Sequence, residues 1–311
     1  MKNGGGVVRA LWMAVPTVAL LVCAVFLLRL HRDENPAAQV TFKAERVDLV
    51  ERMQVDLASA SEAEKSAVLA ITDQESQTFA DLARAKSASV EQESRDIAER
   101  LASGGNQGER DMLAEFTKAF AEFQRIDKDL LELAVKNTNV KAYALAFGPA
   151  AKAIGEMNAA LSRLATANAD LPQGKAVLFA LGAETSALRI QTLLPPHIAE
   201  ENEQKMSDLE ASMAAEDAQV HKSLDGLAAL PKLGSNADLA TARARYAEFG
   251  NLRTQILALS HENTNVRSLS ISLNEKRKVM LVCQSALAAL ERAILAEPIA
   301  GATYGAPVHP R

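Results

Sequence analysis

The side chains best suited by type and spacing to do chemistry belong to a tetrapeptide that occurs twice, Asn137-Thr138-Asn139-Val140 and Asn263-Thr264-Asn265-Val266. Amides and a hydroxyl in this order can present donors and acceptors to a small ligand at two equivalent turns. They can equally end one helix and begin the next, because Asn tolerates the left-handed conformation that closes a helix and Thr or Asn caps its successor. An uninterrupted helix is the third alternative. A base follows each copy, Lys141 and Arg267, and reads as a solvated first-turn residue. Arg277 is weighed separately, because it stands in an apolar stripe where the earlier copy has Ala151. It can attract an anionic ligand or an acidic partner, or it can mark a rotated solvated face in the run "NEKRK". Asn137, Thr138, Asn139, Asn263, Thr264, Asn265 and Arg277 are therefore the ligand-binding candidates.

Other chemistries find no matching pattern. Di-iron bundles use Glu-x-x-His pairs, and none of the five histidines has Glu three residues before it. His197, His221 and His261 read as isolated helix residues. There is no Cys-x-x-Cys-His, His-Glu-x-x-His, phosphate-binding glycine loop or Gly-x-Ser-x-Gly. The expectation is a non-enzyme with no catalytic residue, no metal ligand set and no cofactor. The 34 bases and 39 acids are spread along the chain without a basic stripe, which argues against a nucleic-acid partner.

The elements that carry these residues are helices. The 48% apolar content is mostly Ala and Leu, and aromatics are only 4%, which favours helices over strands. Phe120-Ala121-Glu122-Phe123 and Tyr246-Ala247-Glu248-Phe249 share with the tetrapeptides a common offset of 126. Before the first tetrapeptide, Phe116, Phe120, Phe123, Ile126, Leu130 and Leu133 step by three and four. Ala242, Tyr246, Phe249, Leu252, Ile256 and Leu259 answer them before the second. The stripe resumes at Val140, Ala144, Phe147, Ala151, Ile154, Leu161 and Leu164. Its counterpart is Val266, Ser270, Leu273, Arg277, Met280, Leu287 and Leu290. Two more helices precede each pair, at about 42–72 and 76–102, and at about 174–194 and 198–228, the last two meeting at Pro195-Pro196. The expected architecture is all-α: two tandem up-and-down four-helix bundles, 40–170 and 173–296, then a disordered tail, 297–311.

A short N-terminal tail, 1–9, precedes "ALWMAVPTVALLVCAVFLLRL", residues 10–30, which has no charge between Arg9 and Arg29. It is about as long as a bilayer-crossing helix needs to be, and "RLHRDEN" follows it where a cleavage site would lie, so a retained transmembrane anchor is expected. Lys2 and Arg9 precede the anchor and Arg29, Arg32, Lys43 and Arg46 follow it, a count that alone would put the bulk of the chain in the cytoplasm. Of the two cysteines, Cys23 lies in the anchor and Cys283 in a helical stripe, so no intramolecular disulfide framework is expected.

An anchor, a long first helix, a third helix of the type "FAEFQRIDKDLLELA", a polar turn and a fourth helix of the type "AYALAFGPAAKAIGEMNAALSRL" together resemble the four-helix-bundle sensory domain of methyl-accepting chemotaxis proteins. The Gly148-Pro149 step followed by "AAKAI" carries the likeness best; in the second copy Asn274-Glu275 replaces it. The resemblance implies a single-pass inner-membrane protein with its bulk periplasmic or extracellular, and this outweighs the charge count. It implies ligand recognition, with a small molecule as possible ligand. It also implies signalling as a homodimer or through a membrane partner, since no linker or cytoplasmic signalling module of that family is recognised in the sequence. A helical scaffold or interaction protein of the envelope, with no small ligand, is the alternative.

Overall fold

The computed structural model describes residues 36–169 and 174–299. The expected anchor, with Cys23, and the N-terminal tail lie outside the described residues, as does the tail beyond residue 299. The described chain is all helix and turn: α1 Pro36–Leu69, α2 Asp73–Gly104, α3 Gln107–Ala134, α4 Thr138–Leu145, a π-turn Ala146–Ala150, and α5 Ala151–Ala167. The second series is α6 Lys175–Ala199, α7 Glu203–Ala228, α8 Ala237–Glu262, α9 Thr264–Ile271, a π-turn Ser272–Lys276, and α10 Arg277–Ala296. The helix expected to stop before Pro195-Pro196 runs on to Ala199. The prolines lack an N–H but hold a helical φ, and the chain turns only at Glu200, which is extended. By length and composition alone, α6 and the stretch Ala237–Ala296 are apolar enough to cross a membrane; both also bury core side chains.

The chain separates into two compact units whose limits fall inside helices. Among the described residues, one comprises 36–58, 86–121 and 280–299, the other 59–85, 122–169 and 174–279. In the first unit the start of α1, the end of α2 and the start of α3 are joined by α10. Leu49, Val50, Met53, Leu57, Val90, Ile97, Leu101, Leu113 and Phe116 are buried there with Cys283, Leu287, Leu290 and Ile294. Buried Arg46 donates to Glu109 on α3, 2.8 Å away, and pairs with Glu297. Gln54 reaches Glu291 at 2.8 Å, and Lys43 donates to the carbonyls of Leu295 and Glu297 at 2.6 and 2.8 Å. The last helix of the second series thus completes a unit whose other helices belong to the first.

In the second unit the reverse holds. The last helix of the first series, α4 with α5, packs on α8 and α6, and α6 packs on α7. Ile154, Met157, Leu161 and Leu164 of α5 share one core with Ile190 and Leu194 of α6, Val220 and Leu224 of α7, and Tyr246, Phe249 and Ile256 of α8. A second core holds Ala63, Ala67 and Val68 of α1, Ala80 and Ala83 of α2, and Leu130, Leu131 and Ala134 of α3, with Ile271 of α9 packed against it.

The third-helix stripes bury largely as their spacing predicts, with Leu133, Leu252 and Leu259 only partly covered. The fourth-helix stripes bury in their second halves, at Ile154, Leu161 and Leu164 and at Leu287 and Leu290, but not in their first. Ala144 and Leu273 are exposed, and so is Phe147. The buried face of the first instead runs Thr138, Ala142, Ala146, Ala150, Ile154, every fourth residue, and that of the second runs Thr264, Ser268, Ser272, Lys276. Each series carries its π-turn at the same place, and a π-turn inserts one residue, so a stripe phased at 3.6 residues per turn slips off the core face. Pro149 explains the first π-turn through its missing N–H. The second, Ser272–Lys276, has no proline.

Candidate functional site: the asparagine–threonine crossing

The structure brings six of the seven candidate residues together. Asn137 and Asn263 both adopt φ 50°, ψ 39°, the left-handed conformation that ends a helix. The capping half of the expectation takes a different form, for neither Asn makes a side-chain cap on its own helix. The first-turn N–H groups of α4 and α9 are capped by the other series. Thr138 N–H donates to Thr264 Oγ1 at 3.2 Å and Thr264 N–H to Thr138 Oγ1 at 3.1 Å. Asn139 N–H donates to Asn265 Oδ1 at 3.2 Å, and Asn265 N–H to Asn139 Oδ1 at 3.1 Å. The amides close the arrangement: Asn139 Nδ2 donates to Asn263 Oδ1 at 2.7 Å and Asn265 Nδ2 to Asn137 Oδ1 at 2.9 Å.

Every bond in this set has its mate 126 residues away, so the two turns are related by a local pseudo-twofold. Asn137, Thr138, Asn139, Asn263 and Thr264 are all buried. A helix start withdrawn from water needs partners for its orphan N–H groups, and the repeated sequence supplies them reciprocally. The remaining amide hydrogens anchor the crossing to its surroundings: Asn139 Nδ2 donates also to Ile198 O at 2.6 Å, Asn263 Nδ2 to Glu200 O at 2.7 Å, and Asn137 Nδ2 to Asp73 Oδ1 at 3.3 Å. The base after each tetrapeptide reaches back to the end of the preceding helix. Lys141 Nζ donates to Lys136 O at 2.8 Å and Arg267 to Glu262 O at 3.5 Å. Lys141 also lies 3.0 Å from Asp73, whose carboxyl its hydrogen bond holds below the usual range.

Arg277, the seventh candidate, is exposed in the first turn of α10. The buried base is its neighbour Lys276, 3.2 Å from Glu64, paired with Asp127, and 4.4 Å from the centre of the Phe123 ring. Lys276 matches Ala150 of the first series, and the slip introduced by the π-turn is why a 3.6-residue phase points to Arg277.

His197 and His261, expected from the sequence to be isolated, are not. They converge instead on Glu210, and the three offer ligand atoms within 4.8 Å of one another, a set able to hold a metal ion. Their separation from Glu210, 13 and 51 residues, leaves no local motif to find.

Residues 102–173 match the family described as a four helix bundle sensory module for signal transduction. The matched stretch contains α3, the first half of the crossing, α4 and α5. Neither the curated proteins nor the solved structures compared gave a match. The matched segment is therefore similar to a sensory module of chemoreceptor type, a class of signal-transduction domain rather than an enzyme family.

Proposed function

We propose that the protein is a membrane-anchored extracytoplasmic sensor of chemoreceptor type, which recognises a ligand and hands the signal to a membrane partner or to a second copy of itself. The observation that carries this reading is the match of residues 102–173 to a sensory module, because the matched stretch includes the turn at which the two helix series cap one another. In this reading residues 10–30 form the anchor, α1 leads away from the bilayer, and the exchanged fourth helices make two four-helix units of the repeat. Lys43, close behind the anchor, holds the end of α10 through the carbonyl of Leu295 in its last turn and that of Glu297 just beyond it. Ligand binding that favours one packing of the fourth helices would then change the helix ends nearest the membrane. A ligand shifts such an equilibrium only by its differential affinity for the two packings.

The test is a thermal-shift screen of the full chain in detergent against amino acids, organic acids and aromatic compounds, with a C-terminal topology reporter on the same chain. A ligand at about a hundred times its Kd adds about 2.7 kcal/mol, which moves Tm by several degrees. A specific hit with an extracytoplasmic C-terminus is expected. A cytoplasmic C-terminus overturns the reading, and silence across the panel turns it towards an envelope scaffold.

A further inference from the structure

We propose that His197, Glu210 and His261 form a binding site for a divalent transition-metal ion of the zinc type. The three residues come from the end of α6, the second turn of α7 and the end of α8. His197 Nε2 lies 2.9 Å from Glu210 Oε1, and His261 Nε2 lies 2.6 Å from the same oxygen. Two imidazole nitrogens and a carboxylate oxygen are the donor set that zinc accepts in three-ligand sites, with a fourth position left to water.

The hydrogen bonds around His197 give the argument its second leg. Ser260 Oγ donates to the carbonyl of His197 at 2.9 Å, which uses the only hydroxyl proton. The same oxygen stands 2.8 Å from His197 Nδ1 and must accept from it, so the ring proton sits on Nδ1. A neutral imidazole of that tautomer aims the Nε2 lone pair at a carboxylate oxygen, acceptor against acceptor. The contact is favourable only with a proton, held by either partner, or a metal ion between the two. His261 repeats the pattern, with Nε2 on Glu210 and Nδ1 at 3.4 Å from Glu203. A hydrogen-bond acceptor behind the outer nitrogen is the usual support of a metal-ligating histidine, since it fixes the tautomer and raises the basicity of the ligating nitrogen.

Access and geometry agree with this assignment. The His197 side chain is fully buried, whereas those of Glu210 and His261 are 36% and 41% exposed, so an ion can enter from solvent and keep a water ligand. An ion bound tetrahedrally at about 2.0–2.2 Å spreads its ligand atoms to about 3.3–3.6 Å. The present contacts of 2.9 and 2.6 Å on Glu210 would open to this spacing around an ion, and the three ligand atoms already lie within 4.8 Å of one another. The site also adjoins the crossing: Asn139 holds the carbonyl of Ile198, next to His197, and Asn263 follows His261 by two residues. A bound ion would fasten the ends of α6 and α8 against which the crossing is built. That the ion is itself the sensed ligand rests on the sensory reading above; its binding does not.

The full chain in detergent, stripped with a chelator, is titrated with zinc chloride and separately with cobalt chloride. The expected result is stoichiometric zinc binding, a rise in Tm, and visible cobalt d–d bands that zinc abolishes. His261→Ala and Glu210→Gln, both at partly exposed positions, should each weaken zinc at least tenfold. His221→Ala, whose ring neighbours Tyr246 and Asp217 instead, should leave it unchanged. The proposal is overturned if no stoichiometric binding occurs, or if His261→Ala and Glu210→Gln bind as well as the parent. The cation between His197 and Glu210 would then be a proton. Zinc binding here with a cytoplasmic C-terminus would keep the metal site and discard the sensory reading.

Discussion

The hydroxyl oxygens of Thr138 and Thr264 lie 3.2 Å apart, and each accepts the backbone N–H of the other residue. Two residues separated by 126 positions thus sit on the local pseudo-twofold of the molecule, and each closes the start of the other's helix.

Replacing either threonine by valine keeps the shape and removes the acceptor. The partner's buried N–H is then orphaned, and a loss of about 1–3 kcal/mol is expected for Thr138→Val and again for Thr264→Val. Because the two act on one shared contact, the double variant should lose clearly less than the sum, a coupling readable in urea melts as a double-mutant cycle. Strict additivity would mean that the two turns do not support one another.

Asn137 separates backbone conformation from side-chain bonding. Both Asn137→Gly and Asn137→Ala lose the bonds to Asn265 and Asp73, but only alanine adds the strain of a left-handed residue, about 1–2 kcal/mol. The glycine variant should therefore melt at the higher temperature, and equal Tm values would exclude the φ of 50° as a determinant.

The buried base at Lys276 faces two carboxylates, Glu64 and Asp127. Lys276→Ala leaves both without their counter-charge and should cost about 3–5 kcal/mol in denaturant unfolding. A variant within about 1 kcal/mol of the parent would show that the group relaxes into water.

Glu64 adds a pH dependence. Burial raises its carboxyl above the ordinary value of 4.5, against the opposing pull of Lys276. A carboxyl raised on folding contributes stability that is complete below its unfolded value and lost as pH rises through its folded value. The parent should therefore lose stability above about pH 4.5 by this route, and Glu64→Gln should flatten that part of the curve. Superimposable curves for the two proteins would contradict the assignment.

Cys283 is a free, buried thiol that burial pushes up to about 12. Roughly one part in ten thousand is thiolate at pH 8, so a disulfide reagent should modify it only after unfolding. The measurement is made in Cys23→Ser, which leaves one thiol to follow; rapid modification of the folded protein would place Cys283 in an opening segment.

Local sequence determined the helices, the third-helix faces and the left-handed Asn turns, because these depend on side-chain period and on the conformations one residue tolerates. Phe116, Phe120, Phe123, Ile126 and Leu130, and Ala242, Tyr246, Phe249 and Ile256, are buried as their spacing requires. The offset of 126 also marks the Asn-Thr-Asn pair in the sequence alone. What it could not decide was which helix pairs with which, since an amphipathic fourth helix fits the three before it or the three of the other series equally well. Only tertiary structure set α10 against α1 through Arg46, Lys43 and Gln54, and α5 against α8. The crossing and the Lys276 charge group follow from that choice, while the His197–Glu210–His261 cluster follows from the packing of α6, α7 and α8 within one series. Their partners are remote in sequence, and no local period encodes a meeting between them.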